Sequence, residues 1–315
     1  MLNNRKAAII GAGFVGASIA FALMQKGLYN ELVLVDANKD KAQGEAMDIA
    51  HGLPYSNPMK IYAGEYQDIA DASLIIITAG AAQKPGETRL DLIKKNSAIM
   101  TSIVKELVKV KAEGILLIVA NPVDVLTHVA LKVSGFPRER VFGSGTVLDT
   151  ARLKYLLSDK LQIDTRNVHA VIMGEHGDSE FPAWSFANVS GMPLEDFAEL
   201  RGYQDYESLK NEIQEEVKNS AYEIIAKKGA TYYGIALSVA RIAECIVKNE
   251  HSMLPVSVEL NGEYNLTGSA LSIPAIISAK GVEQILELPL SAKEKRELRS
   301  SSDTLKEIIK TLDLQ

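Results

Sequence analysis

The sequence predicts an α/β protein whose first half is a doubly wound parallel sheet and whose second half is a mixed α+β unit. Three observations carry this. Four short apolar runs, residues 7–10, 32–35, 74–78 and 115–119, are separated by longer amphipathic stretches, the pattern of parallel strands buried on both faces by intervening helices. A glycine-rich turn, Gly11-Ala12-Gly13-Phe14-Val15-Gly16, joins the first run to a helical pattern. After about Gly145 the alternation stops, so two domains are expected, residues 1–145 and 146–315.

In the first half, residues 92–111 form a helix candidate joining the third and fourth strands, and residues 123–133 another that leads to Val141-Phe142-Gly143. In the second half, residues 148–157 read as a helix and residues 169–173 as a strand. Leu209, Ile213, Val217, Ala221 and Ile224 recur at helical spacing up to Lys227-Lys228-Gly229, a C-terminal stop. Residues 253–260 and 264–266 flank Asn261-Gly262, a two-residue hairpin signal. Ser291 and Glu294 have the spacing of a capping box opening the last helix.

Composition narrows the function. The 315 residues carry 34 basic and 40 acidic side chains, a formal charge of −6, which disfavours a general nucleic-acid binder and points to small molecules and copies of the chain itself as partners. Cys245 is the one cysteine, so no internal disulfide framework is expected, and its apolar surroundings favour core packing in a reducing compartment. No signal peptide and no bilayer-spanning segment is read, and a soluble cytoplasmic protein is expected. The histidines and the cysteine show no metal-ligand spacing, so no metal site is expected.

The glycine turn follows a strand and precedes a helix, the context that gives the pattern meaning as a Rossmann dinucleotide loop. Gly11 allows the tight turn, Gly13 the approach of a pyrophosphate and Gly16 close helix–strand packing. Asp36 ends the second strand, Glu31-Leu32-Val33-Leu34-Val35-Asp36, where a carboxylate meets ribose hydroxyls and repels a 2′-phosphate. NAD is therefore expected over NADP, with flavin a minor alternative.

Together with His176 in Gly174-Glu175-His176-Gly177-Asp178 and Arg152 in Asp149-Thr150-Ala151-Arg152, these elements supply a dinucleotide site, a proton carrier and an anion clamp. In order along nearly the whole chain, GAGFVG, ELVLVD, AGAAQKPGETR, VANPVDVLT, GSGTVLDTAR, GEHGDSEFP and KGATYYGIA resemble the L-lactate/malate dehydrogenase family, and its bacterial L-lactate dehydrogenase branch most of all. The resemblance implies reversible hydride transfer between NAD and a 2-hydroxy acid, pyruvate with L-lactate, in a cytoplasmic homotetramer. Malate dehydrogenase is the alternative within the same chemistry, and a non-catalytic protein on a dehydrogenase scaffold the alternative outside it.

Residue by residue, the resemblance makes His176 the proton donor and acceptor, serviceable in both directions at an ordinary imidazole pKa of about 6.5, and Asp149 the carboxylate that orients it. Arg152 becomes the bidentate grip on the substrate carboxylate. Arg89 becomes the loop arginine that polarises the carbonyl as residues 79–89 close over substrate. Asn121, before a cis Pro122, is aimed at substrate and nicotinamide; Thr231 lines the substrate pocket; Ile235 packs near the nicotinamide, with Phe14 and Val15 in the cofactor loop. Gln83 stands where malate enzymes carry an arginine for a second carboxylate. Lys154 and His169 occupy the positions through which many bacterial members bind fructose 1,6-bisphosphate as activator, with lysine in place of the usual arginine. His51, His128 and His251 read as structural.

Overall fold

In the computed structural model, which describes residues 2–82, 86 and 88–312, the first half runs β1 (Asn3–Ile10), α1 (Phe14–Lys26), β2 (Glu31–Val35), α2 (Lys39–Ala50), β3 (Lys60–Ala63), β4 (Ala72–Ile77), α3 (Arg89–Lys109), β5 (Ile115–Ile118), α4 (Val123–Ser134) and β6 (Val141–Gly143). The apolar runs become strands because both faces are covered: Ala7, Ala8, Ile9, Leu74, Ile75, Ile76, Leu116, Leu117 and Ile118 are all fully buried. The six strands pair in parallel in the order β3-β2-β1-β4-β5-β6. The chain reverses direction across the sheet between β1 and β4, and the crevice outside the carboxyl ends of such strands is where open α/β sheets bind ligands.

The second half runs α5 (Val147–Leu161), β7 (Val168–His169), β8 (Ile172–Met173), β9 (Phe181–Pro182), β10 (Asn188–Val189), β11 (Met192–Pro193), α6 (Leu194–Leu200), α7 (Tyr206–Lys228), α8 (Tyr233–Lys248), β12 (Ser252–Asn261), β13 (Thr267–Ser278), β14 (Gly281–Ile285) and α9 (Ala292–Lys310). Its long strands do not build a sheet of their own. β12 pairs antiparallel with β6 through Ser257 and Gly143, and β13 and β14 follow, so one nine-stranded mixed sheet crosses the whole molecule. The core is shared accordingly, with Phe142, Val256, Val258, Leu271 and Ile273 in one apolar cluster. A second cluster, including Leu153, Leu157, Leu161, Ile172, Leu209, Ile213 and Val217, packs α5 against α7.

Two local readings differ from expectation. The strand read at residues 169–173 is split into two short strands facing different partners, β7 with β10 and β8 with β9. Thr150 Oγ1 accepts from Ile172 N at 2.9 Å and Thr146 Oγ1 donates to Ile172 O at 2.6 Å, so α5 draws this segment away from a continuous ladder. The hairpin forms where Asn261-Gly262 placed it, but residues 264–266 are not its second strand. Glu263–Asn265 make a 3-10 turn and pairing resumes at Thr267, because the Glu263 carboxylate accepts from Asn261 N at 2.6 Å while bonding Arg138 at 2.9 Å. The capping box is present: Ser291 accepts from Glu294 N and Glu294 from Ser291 N.

His51 is the C-cap of α2, His128 is buried on α4 with Nδ1 2.8 Å from Glu259, and His251 pairs with Glu283 at 2.7 Å. Cys245 is buried in α8. Among the described residues no helix is long and apolar enough to cross a membrane.

Candidate active site

The glycine turn is shaped by its neighbours. Gly11 has φ +108, and a Cβ there would stand 2.6 Å from Ala79 N; one on Gly16 would stand 1.9 Å from Gly11 O. Both glycines are thus required by the protein itself. A Cβ on Gly13 would meet no atom within 4 Å, so the space in front of the α1 N-terminus is open, as a pyrophosphate approaching free N–H groups needs. Asp36 accepts from Ala12 N at 2.6 Å and Asn38 N at 2.8 Å, which fixes its carboxylate at the rim. These residues fit a dinucleotide. Phe14 is 72% exposed and stacks on Tyr232 at 5.5 Å, whereas Val15 faces the adjoining cleft.

That cleft, about 750 Å³, is lined by Arg89, Asn96, Asn121, Asp149, Arg152, His176 and further residues from both halves. Its centre is Asp149, in the first turn of α5 and 2% exposed. One carboxylate oxygen lies 2.6 Å from His176 Nδ1, and the other accepts from Arg152 Nη1 at 2.7 Å. The spacing i to i+3 puts Asp149 and Arg152 on one helix face, and tertiary folding brings in the histidine. Burial pushes the Asp149 carboxyl up, but the charges and hydrogen bonds of His176 and Arg152 outweigh it and hold the group below the usual carboxylate range.

His176 differs from its sequence reading in one respect. Burial lowers the imidazolium pKa, yet Asp149, assisted by Glu180 and Asp124, more than reverses this and raises it to about 9, well above the ordinary 6.5. The ring is therefore mainly protonated at neutral pH, with Nδ1 turned to Asp149 and Nε2 the remaining ring nitrogen.

The loop bearing His176 is pinned on three sides. Gly174 exchanges two backbone hydrogen bonds with Ser272 of β13, Glu175 N donates to Ser301 Oγ of α9 at 2.7 Å, and His176 N donates to Asp124 Oδ2 of α4 at 2.7 Å. Asp124 also accepts from Ser257 Oγ at 2.6 Å; burial pushes its carboxyl up to about 6 against these donors.

Asn121-Pro122 is a cis peptide, and Asn96 ties it to the loop opposite: Asn96 Nδ2 donates to Asn121 O at 2.8 Å and Asn96 Oδ1 accepts from Ala81 N at 2.8 Å. Arg89 opens α3 behind a Thr88/Asp91 capping box. Its guanidinium is turned to the cleft mouth, donating to Asp178 at 2.9 Å and Glu175 at 3.3 Å. Gln83 lies outside the described residues.

Thr231 precedes α8 and Ile235 is in its first turn, but neither is among the cleft-lining residues. Lys154 is half-buried on α5, its ammonium pKa lowered by burial, and His169 is exposed. α7 instead supplies Val217, Lys218, Ala221, Tyr222 and Ile225 to the cleft. Of these, the sequence reading names only Val217 and Ala221, as positions of a helical repeat, and the cation Lys218 between them is the signal that could have marked a pocket. Asp124, Asn96 and Glu180 were also missed; each has an unremarkable local context and gains meaning from contacts distant in sequence. Asp149, His176 and Glu180 bring potential ligand atoms within 4.8 Å of one another, a grouping invisible to a search for ligand spacing. Because the Arg152 guanidinium already occupies Asp149, the set suits protons better than a second cation.

Residues 5–143 match the model of the lactate/malate dehydrogenase NAD binding domain, and residues 146–313 that of the lactate/malate dehydrogenase alpha/beta C-terminal domain. The chain is 52% identical to the L-lactate dehydrogenase of Acetivibrio thermocellus, covering 100% of both chains. It is 53% identical to that of Thermoanaerobacterium saccharolyticum, covering 98% of this chain and 99% of the other. Among solved structures, the minor L-lactate dehydrogenase of Enterococcus mundtii in its ligands-bound form superposes with a TM-score of 0.95 at 44% identity, over 99% of each chain. Domain models, full-length relatives and fold agree with the geometry of the cleft: this chain belongs to the lactate/malate dehydrogenase family.

Proposed function

We propose that this chain is an NAD-dependent L-lactate dehydrogenase that interconverts L-lactate and pyruvate in the cytoplasm. The observation that carries the reading is Asp149 holding His176 and Arg152 in one cleft beside the glycine turn. Bound NADH supplies the hydride that reduces the keto carbon. Arg152 grips the substrate carboxylate through its planar fork, His176 in its imidazolium form gives its proton to the developing alkoxide, and Asp149 holds the ring and stabilises its charge. Arg89 exchanges Asp178 and Glu175 for the substrate and polarises its carbonyl as negative charge develops on the oxygen. In lactate oxidation the neutral ring takes the proton back.

In this reading Gly11, Gly13, Phe14, Val15, Gly16 and Asp36 hold the dinucleotide, Asn121 and Ile235 border its nicotinamide, and Gln83 and Thr231 border the substrate methyl. Residues 1–145 hold the cofactor and lend Gln83, Arg89 and Asn121 to the substrate, and residues 146–315 supply the catalytic pair and the carboxylate grip. NADH oxidation, followed by absorbance with pyruvate and then with oxaloacetate, tests the assignment; a preference for oxaloacetate overturns it in favour of malate. Gln83→Arg is expected to shift the ratio of the two kcat/KM values toward oxaloacetate by at least about tenfold, since it adds a cation for a second carboxylate and leaves it unpaired against a methyl group. An unmoved ratio removes Gln83 from the specificity site.

The chain is further proposed to act as a homotetramer responsive to fructose 1,6-bisphosphate through Lys154 and His169, with lysine weakening bidentate phosphate recognition. The activator must bind the active arrangement more tightly than the inactive one. It is expected to lower the pyruvate KM or raise tetramer content by sedimentation, and superimposable curves with and without it discard this part alone.

A further inference from the structure

Glu180 has no part in the mechanism above, yet its carboxyl lies in the same cleft. It is 6% exposed, with Oε2 4.0 Å from His176 Nδ1. Its carboxyl oxygens have no hydrogen-bond donor among the described residues. A buried carboxylate normally has such donors or a close cation. The charged groups facing it are Asp149 and Arg152 from α5, His176 from its own loop and Lys218 from α7. The nearest cations are already engaged: His176 and Arg152 both bond Asp149.

Charge counting gives this arrangement its consequence. Around Asp149 two cations face one anion, leaving a net positive charge at the place where a substrate carboxylate must sit. An ionised Glu180 would offset much of that charge, which Lys218 of α7 only partly restores, and so weaken the hold on the substrate carboxylate. We propose that Glu180 is a second proton-holding group of the substrate pocket, electrostatically linked to His176: its carboxyl is neutral when substrate binds, and its ionisation weakens the hold on the substrate carboxylate even while His176 stays protonated. The proposal rests on the dehydrogenase reading and adds to it a group that controls affinity without taking part in hydride or proton transfer. Burial and the negative Asp149 raise its pKa, and His176, Arg152 and Lys218 oppose them incompletely, leaving it at about 8. Glu180 therefore titrates below the His176 value of about 9.

The test uses the complex of the enzyme with NADH and oxamate, the unreactive amide isostere of pyruvate, and measures oxamate Kd and proton uptake on binding as a function of pH. In the wild type, binding at pH about 9.5 must restore both protons, so uptake is expected to lie between one and two per site, and log Kd to rise with a slope approaching two. Glu180→Gln carries a permanently neutral side chain of the same shape. Its uptake is expected not to exceed one, its slope to fall to about one, and its affinity to diverge from wild type only on the alkaline side. Wild-type uptake of no more than one proton overturns the proposal whether or not the variant folds; so do identical uptake and slope in the two proteins. Those results leave pyruvate-dependent NADH oxidation standing, whereas a wild type that neither binds oxamate nor oxidises NADH with pyruvate sinks the dehydrogenase reading as well.

Discussion

His176→Ala is expected to reduce kcat for pyruvate reduction by about 10²–10⁴-fold, the usual worth of a positioned general acid, while NADH binding stays within about twofold. The ring touches Asp149 and lines the cleft, and its removal leaves the glycine turn untouched. The pH dependence has a defined sign. Pyruvate reduction needs the imidazolium, so its kcat should hold below and fall as pH rises through about 9; lactate oxidation needs the neutral ring and its kcat should rise over the same window, while ionisation of Glu180 at about 8 weakens binding of either acid and is read in KM. Stopped-flow and steady-state profiles in both directions check this. Near-normal turnover in the variant, or parallel profiles for the two directions, would remove His176 from the proton transfer.

Arg152→Lys is expected to weaken pyruvate binding by about 2–3 kcal/mol, roughly 30-fold to 150-fold. The charge survives, but the fork does not. In the structure one arm of the guanidinium is committed to Asp149 at 2.7 Å, leaving its other N–H groups to meet a carboxylate. A lysine ammonium is a point donor that cannot reproduce the planar two-bond contact while also bonding Asp149. The readout is the pyruvate KM, or oxamate Kd, against NADH Kd in the same preparation. Equal losses for substrate and cofactor would mean that the substitution disturbs the fold instead of the grip.

Much of this site was legible in the chain because its signals are local. The glycines of the turn lie within six residues of one another, and the steric reasons for Gly11 and Gly16 reappear as 2.6 Å and 1.9 Å contacts for an added Cβ. Ser291 with Glu294, and Asp149 with Arg152, are helix-spaced pairs whose contacts follow from the helix itself. The errors arose where a distant partner competed with local preference. Residues 264–266 failed to continue the hairpin once Arg138 and the Asn261 backbone captured Glu263. Ala221 entered only as one position of a helical repeat, and its place in the cleft appears once α7 presents one of its faces to the space between the halves.

The sequence by itself determined the parallel strand pattern and the dinucleotide loop and, through family motifs, singled out the residues proposed to react, since each is encoded in short windows whose geometry the backbone dictates. Only the tertiary structure decided how the halves join and what the site residues become. Ser257 meets Gly143 and extends the first half's sheet into the second. Asp149 meets His176 across 27 residues, and Asp124 holds the histidine's backbone across 52. The rise of the His176 pKa to about 9, and the presence of Glu180 as a second carboxyl facing it, come from charges on separate elements brought into one low-dielectric cleft. Electrostatic energy depends on distance and burial, and neither is a property of spacing along the chain.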